Sequence, residues 1–229
     1  MSGTLYGLGI GPGDPDLITL KALKVLRAVP VIAYLAADDA DSLARSIAAP
    51  HLPGGQAEVV IRVPMRDDPA PGQAVYDRAA AELAAHLDAG RDVAVLCEGD
   101  PLLYGSFQYL LIRLVGRVRV EVVPGITSLT AASAAALAPL ASRNDGLAVL
   151  PAPLDADTLR DRLRAADAAV IVKLGRHLPK VRAVLDELGL LERAVYVERV
   201  SMDGQRVCPL AEVAGPAPYF SMILVPRAV

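Results

Sequence analysis

Hydrophobic positions along the 229-residue chain follow two alternating rhythms. Short β-branched runs read as strands at 4–9, 31–35, 58–63, 93–97 and 118–123. Between them, apolar residues at helical spacing predict helices over 17–28, 42–49, 72–89 and 104–115. Leu17, Leu20, Leu23 and Leu26 set that spacing in the first helix, three apart on one face. The run 79–87 in the third is alanine-rich, and alanine is the best helix former. Strands alternating with helices predict an α/β layer on a mostly parallel sheet. In such sheets ligands gather beyond the carboxyl ends of the strands.

The rhythm breaks at Pro124-Gly125, which is turn chemistry after a β-branched strand. Residues 129–140 are rich in Ala, Ser and Thr, small enough for close helix approach. Strands follow at 147–150, 169–173, 194–200, 206–209 and 219–225, with helices at 157–166 and 178–188. Asp203-Gly204 lies between two extended runs and predicts a hairpin. The second sheet is therefore expected to be mixed. This divides the chain into two α/β domains, 1–124 and 125–229.

Chemistry concentrates where strands end. Glycine occupies positions 7, 9, 11 and 13, so one face of the first strand's end carries no side chains. A bare face lets backbone or ligand lie directly on the main chain. Neither Gly7 nor Gly9 starts a Gly-x-Gly-x-x-Gly dinucleotide fingerprint, and the chain has no Gly-Lys pair for a phosphate loop. At the next strand end, Glu98-Gly99-Asp100-Pro101 predicts Asp100 as a helix N-cap with Pro101 in the first turn. An acid held there could also take an amine or a ribose hydroxyl. Thr127 and Ser128 either cap the helix after them or reach a bound carboxylate.

Charge and cysteine content narrow the classes. A net charge of −3 without a basic run argues against nucleic-acid binding, which needs clustered Lys and Arg. Cys97 and Cys208 are far apart and offer neither a disulfide framework nor metal-ligand spacing, which fits a reducing compartment. With no signal-peptide pattern and no membrane-spanning apolar run, a soluble cytoplasmic chain is expected.

Three stretches taken in order, Gly7-Leu-Gly-Ile-Gly-Pro-Gly-Asp14, Glu98-Gly-Asp-Pro-Leu-Leu-Tyr-Gly105 and Val123-Pro-Gly-Ile-Thr-Ser128, resemble the tetrapyrrole methylases. The second of these, extended to 98–107, and three more, 142–151, 173–177 and 198–202, resemble the branch acting at C20 of precorrin-2. The resemblance implies two α/β domains, the first sheet mostly parallel and the second mixed, with S-adenosylmethionine bound between them. It implies that Pro12, Glu98, Gly99, Asp100, Leu103, Thr127, Ser128, Leu174, Val200 and Ser221 line that site, with no metal. Val200 departs from the small residue common in relatives. It further implies a homodimer and the methylation of precorrin-2 to precorrin-3A in cobalamin biosynthesis. The cobalt-bearing substrate, a sister ring position and a non-catalytic sensor are the alternatives.

Such a transfer needs a base for the departing meso proton, within reach and of suitable pKa. His51, His86, His177, Glu98 and Tyr104 are the candidates. The alanine-rich helix suggests a solvated His86, the Pro-flanked loop a structural or exposed His51, and His177 is the best placed histidine. A polyacidic substrate also calls for arginine forks. Arg62, Arg66, Arg143, Arg176 and Arg199 all follow or flank strand ends and loops.

Overall fold

The computed structural model describes residues 2–37, 40–63 and 70–227. The chain divides into two units, Met1–Thr127 and Ser128–Val229. In the first, β1 (Thr4–Gly9), β2 (Val31–Ala37), β3 (Ala57–Val63), β4 (Val93–Cys97) and β5 (Arg119–Val123) form one sheet. Its order is β3-β2-β4-β1-β5, and every neighbouring pair is parallel. Helices α1 (Leu20–Ala28), α2 (Leu43–Ala48), α3 (Ala70–Asp88) and α4 (Phe107–Leu114) connect the strands.

Strand alternation sorts the core into two layers. Leu5, Ala33, Val93 and Val95 pack with Leu83 and Leu87 of α3 and with Phe107, Leu110 and Leu114 of α4. Leu8, Ile32, Ala94 and Leu96 face the other way, onto Ala22 and Leu26 of α1 and Ala44 and Ile47 of α2. With both faces covered, the central strands read as unbroken apolar runs such as Val-Ala-Val-Leu-Cys at 93–97.

Two helix starts differ from the expected ones. The Thr19 hydroxyl accepts from the Ala22 N–H at 3.2 Å, so α1 begins at Leu20. Leu17 belongs instead to a separate 3-10 turn, Pro15–Leu17, and Leu20 is 75% exposed. The leucine periodicity thus extended across a boundary that a capping threonine sets. Likewise α4 begins at Phe107, not at 104, and 101–106 is irregular. The expected cap at Asp100 is therefore not a helix cap.

In the second unit, β6 (Leu147–Pro151), β7 (Ala168–Val172), β8 (Val195–Glu198), β9 (Arg206–Pro209) and β10 (Ser221–Val225) form a sheet in the order β6-β7-β10-β8-β9. Only β6 and β7 are parallel, so the sheet is mixed, and β8 and β9 form the expected hairpin. Helices α5 (Ser128–Ala136), α6 (Ala156–Arg164) and α7 (Leu178–Glu187) cover it. Ala169, Ile171, Ile223 and Val225 pack under α6 and α7, while Val170, Val172, Met222 and Leu224 pack under α5. Among the described residues no helix is long and apolar enough to cross a membrane.

Candidate functional site

The three glycine-bearing stretches follow β1, β4 and β5, which are adjacent in the sheet. Parallel pairing puts their carboxyl ends side by side, so topology alone brings the loops together. They are also joined atom to atom. The Ile10 N–H donates to the Cys97 carbonyl at 3.0 Å, and the Gly99 N–H to the Gly11 carbonyl at 2.7 Å. Asp100 accepts from the Leu102 N–H at 2.9 Å and, through its other oxygen, from the Gly125 N–H at 3.1 Å. Asp100 is thus a clamp between the second and third loops, because the short irregular turn after it turns its carboxylate across to Gly125.

The bare face of β1 is occupied by protein. A Cβ on Gly7 would lie 2.5 Å from the Phe107 ring. One on Gly9 would lie 2.5 Å from the Gly125 nitrogen, and one on Gly125 would lie 2.0 Å from the Gly99 carbonyl oxygen. The alternating glycines seat an aromatic ring and a neighbouring loop, so of the two readings open from sequence, backbone and side chain win over ligand. Gly11, at φ +81°, makes the turn out of the strand.

The loops leave other surface free. Leu102, Leu103, Tyr104 and Ile126 are all substantially exposed, an unusual amount of apolar surface for adjoining loops. Glu98 stands beside them and accepts from the Ala44 N–H at the start of α2, at 3.2 Å. Burial pushes its carboxyl above the ordinary value, against backbone N–H groups that pull it down. Water reaches the residue all the same, which limits the shift. Burial likewise pushes the Cys97 thiol up, with Glu98 and Asp100 adding to it, so that thiol stays protonated. Pro12 and Gly99 are buried, Asp100 and Thr127 half-buried, and Ser128 is the first residue of α5.

In the second unit, β10 runs antiparallel to both β7 and β8, so the start of β10 lies at the same end as the finish of the other two. Leu174, Val200 and Ser221 all fall at that end. Their side chains turn inward. Leu174 is fully enclosed among the α6 and α7 contacts, and Val200 lies in the α5 layer. The Ser221 hydroxyl donates to the Pro218 carbonyl at 2.6 Å. None of the three residues is more than 6% exposed, main chain included.

Backbone strain marks the same stretches. Tyr104, Arg143, Lys173, Arg199 and Ser201 adopt positive φ between +49° and +59°. For residues with a side chain each such position costs about 1–2 kcal/mol. All five lie in the segments singled out from sequence; a sixth, Leu137, follows α5. No residue-type pattern announced these conformations.

The proton-acceptor candidates separate. His51 contacts the Pro15 carbonyl through Nε2 at 3.3 Å, a structural role. His86 is half-buried with its Nδ1 enclosed, which corrects the expectation of a solvated residue: the helix packs closely on that side. His177 precedes α7, and burial, then Lys180 and Arg176, hold its pKa below the ordinary value. Of the arginines, Arg62 donates to the Ala37 carbonyl at 3.0 Å, and Arg66 lies outside the described residues. Arg176 and Arg199 sit at the same end of the second sheet as Leu174, whereas Arg143, before β6, sits at the opposite end. Among the described residues no group of three or more His, Cys, Asp or Glu could hold a metal ion.

The chain is similar to known proteins over nearly its whole length. The tetrapyrrole (corrin/porphyrin) methylase family model matches residues 4–214. The cobalamin biosynthesis protein CobIJ of Mycobacterium tuberculosis is 47% identical over 98% of this chain, which spans 46% of that protein, about half its length. The precorrin-2 C(20)-methyltransferase of a Sinorhizobium species is 44% identical, over 98% of this chain and 95% of its own. The uroporphyrin-III C-methyltransferase of Thermus thermophilus, solved in complex with S-adenyl homocysteine, superposes with a TM-score of 0.70 at 27% identity, covering 98% of this chain and 92% of that one. With its parallel and mixed sheets, its interlocked glycine loops and a family match over most of its length, this chain belongs to the tetrapyrrole methylases.

Proposed function

We propose that the chain is an S-adenosylmethionine-dependent C-methyltransferase that methylates C20 of precorrin-2, giving precorrin-3A in cobalamin biosynthesis. The single observation that carries the reading is the near-complete two-way match to the Sinorhizobium enzyme, on a fold whose three motif loops are interlocked at adjacent strand ends.

The residues fit S-adenosylmethionine. Exposed Leu102, Leu103, Tyr104 and Ile126 offer apolar faces for a flat base, and Glu98 and Asp100 offer carboxylates for cationic or hydroxyl groups. Pro12, Gly99, Thr127 and Ser128 in the same loops, and Leu174, Val200 and Ser221 in the second unit, are the remaining positions that this reading assigns to the cofactor. When bound, S-adenosylmethionine supplies a methyl group on a sulfonium, which forms the new bond to C20 and leaves a neutral thioether while the C20 proton passes to a base.

The chain's own contribution is placement. Holding two reactants in line and dry can lower a barrier by about 7–11 kcal/mol. Asp100 fixes the loop geometry, and the apolar residues at 102–104 and 126 exclude water. The carboxylates and main-chain carbonyls favour positive charge, which suits a sulfonium. Calorimetry with S-adenosylhomocysteine tests the reading; no binding at millimolar concentration refutes it. Product analysis with precorrin-2 and with its cobalt form then tests the substrate, and methylation of neither at C20 refutes that part.

A further inference from the structure

A cavity of about 530 Å³ opens in the second unit, lined by Gly175, Arg176, Pro179, Arg182, Gly215 and Pro216 among others. Its volume lies in the range of small-molecule sites. None of the ten residues assigned above lines it.

The side of the cavity formed by residues 173–182 carries one sign of charge, while the opposite wall has Glu212 next to Val213. Residues 173–182 include Lys173, Arg176, Lys180 and Arg182 and no acid. Nor does the first turn of α7 contain one, although acids are favoured at a helix start and cations disfavoured there. The depressed pKa of His177, which owes part of its shift to Lys180 and Arg176, reports the same field.

Arg182 is preorganised. Its Nη1 donates to the Leu210 carbonyl at 3.0 Å and also to the Val213 carbonyl, both on the opposite wall. One nitrogen of the guanidinium is thereby pinned, and its remaining N–H groups, which are not among the enclosed unpartnered atoms, stay available. A fork held in this way loses little freedom on gripping a carboxylate. Apolar Leu178, Pro179, Val213 and Pro216 form most of the remaining wall, which suits carbon rather than a bare inorganic ion.

We propose that this cavity receives one acid-bearing edge of the tetrapyrrole substrate, with Arg176 and Arg182 gripping its carboxylate arms. The inference rests on the proposed methyl transfer to a tetrapyrrole, and its test separates the two.

The reporter is the His177 imidazole, followed by NMR titration and assigned by its loss in His177→Gln. Uroporphyrin, a stable tetrapyrrole polycarboxylate, is the probe, and S-adenosylhomocysteine affinity is measured in parallel. Saturating uroporphyrin should raise the His177 pKa, because a carboxylate offsets the cations beside it, and should leave those of His51 and His86 unmoved. Arg176→Gln should weaken uroporphyrin binding at least tenfold without changing S-adenosylhomocysteine affinity; Arg182→Lys, which keeps a donor to the wall, guards against a folding defect and should weaken it less. If S-adenosylhomocysteine binds but uroporphyrin does not, or binds without moving His177, the inference is overturned and the methyltransferase reading survives. If inorganic phosphate moves His177 as far at equal concentration, the cavity is a general anion site and the substrate assignment falls. If S-adenosylhomocysteine itself fails to bind, the functional reading falls first.

Discussion

Replacing Gly125 with alanine isolates the contact on which the first unit's loop cluster is built. The added methyl would lie 2.0 Å from the Gly99 carbonyl oxygen and 2.8 Å from the Gly9 Cα. An unstrained carbon–oxygen contact needs about 3.3 Å, so the loops must part by more than about 1 Å. Neither side can yield cheaply. Gly99 is tied to Gly11 through its own N–H, and Gly9 is a strand residue paired with Cys97 of β4. Parting the loops also breaks the Gly125–Asp100 hydrogen bond. Overpacking costs about 1–3 kcal/mol and a hydrogen bond to a charged group about 1.5–3 kcal/mol, so the sum is roughly 2.5–6 kcal/mol. That is a large share of the roughly 5–15 kcal/mol that holds a domain folded.

Urea unfolding followed by far-ultraviolet circular dichroism measures the loss, since the chain has no tryptophan. Gly116→Ala is the control in the same unit. There a Cβ meets nothing within 4 Å and only the φ of +83° is strained, for about 1–2 kcal/mol. Gly9→Ala combined with Gly125→Ala should cost less than the two single changes added, because one methyl already parts the loops for the other. If Gly125→Ala is no more destabilising than Gly116→Ala, or the pair is additive, the interlocked cluster is misread.

Other outcomes follow from the same geometry. Asp100→Ala should lose about 1.5–3 kcal/mol of stability and weaken S-adenosylhomocysteine binding, with Asp100→Asn losing less because it can still accept from Leu102; equal stability in all three proteins in urea would remove the clamp. Leu174→Ala should cost about 2–5 kcal/mol as a core truncation yet change S-adenosylhomocysteine affinity less than about threefold in calorimetry, whereas a large affinity loss with intact stability would mean that the side chain faces the ligand. Burial, with Glu198 adding to it, pushes the Tyr196 phenol up to about 12. The folded state therefore holds that proton more tightly than the unfolded one. Its contribution is complete below pH 10 and lost as pH rises towards 12, which ultraviolet titration of tyrosinate together with unfolding midpoints would follow; a phenol titrating near 10 in the folded protein contradicts it.

Element order and sheet type were legible because their cause is local. The unbroken apolar runs at 93–97 and 168–172 need only cover on both faces, and the Asp203-Gly204 turn needs only its own φ. Helix starts were less legible: Thr19 rather than the leucine spacing fixes α1, and the irregular turn at 101–106 delays α4. The glycines of β1 could be read as demanding close approach but not by what, since Phe107 and Gly125 are remote in sequence. The Asp100–Gly125 bond, the strained φ of Lys173 and Arg199, and the cavity around Arg182 depend on tertiary closure, which no spacing encodes.

At Leu174, Val200 and Ser221 the side chains are consumed by the interior, and the residues as wholes are almost closed to water. Each acts on its surroundings through the room it fills and the course it gives the backbone. Letters of similar size and shape can stand in for one another at such places at small cost. Sequences that drift apart there can keep one and the same chain path.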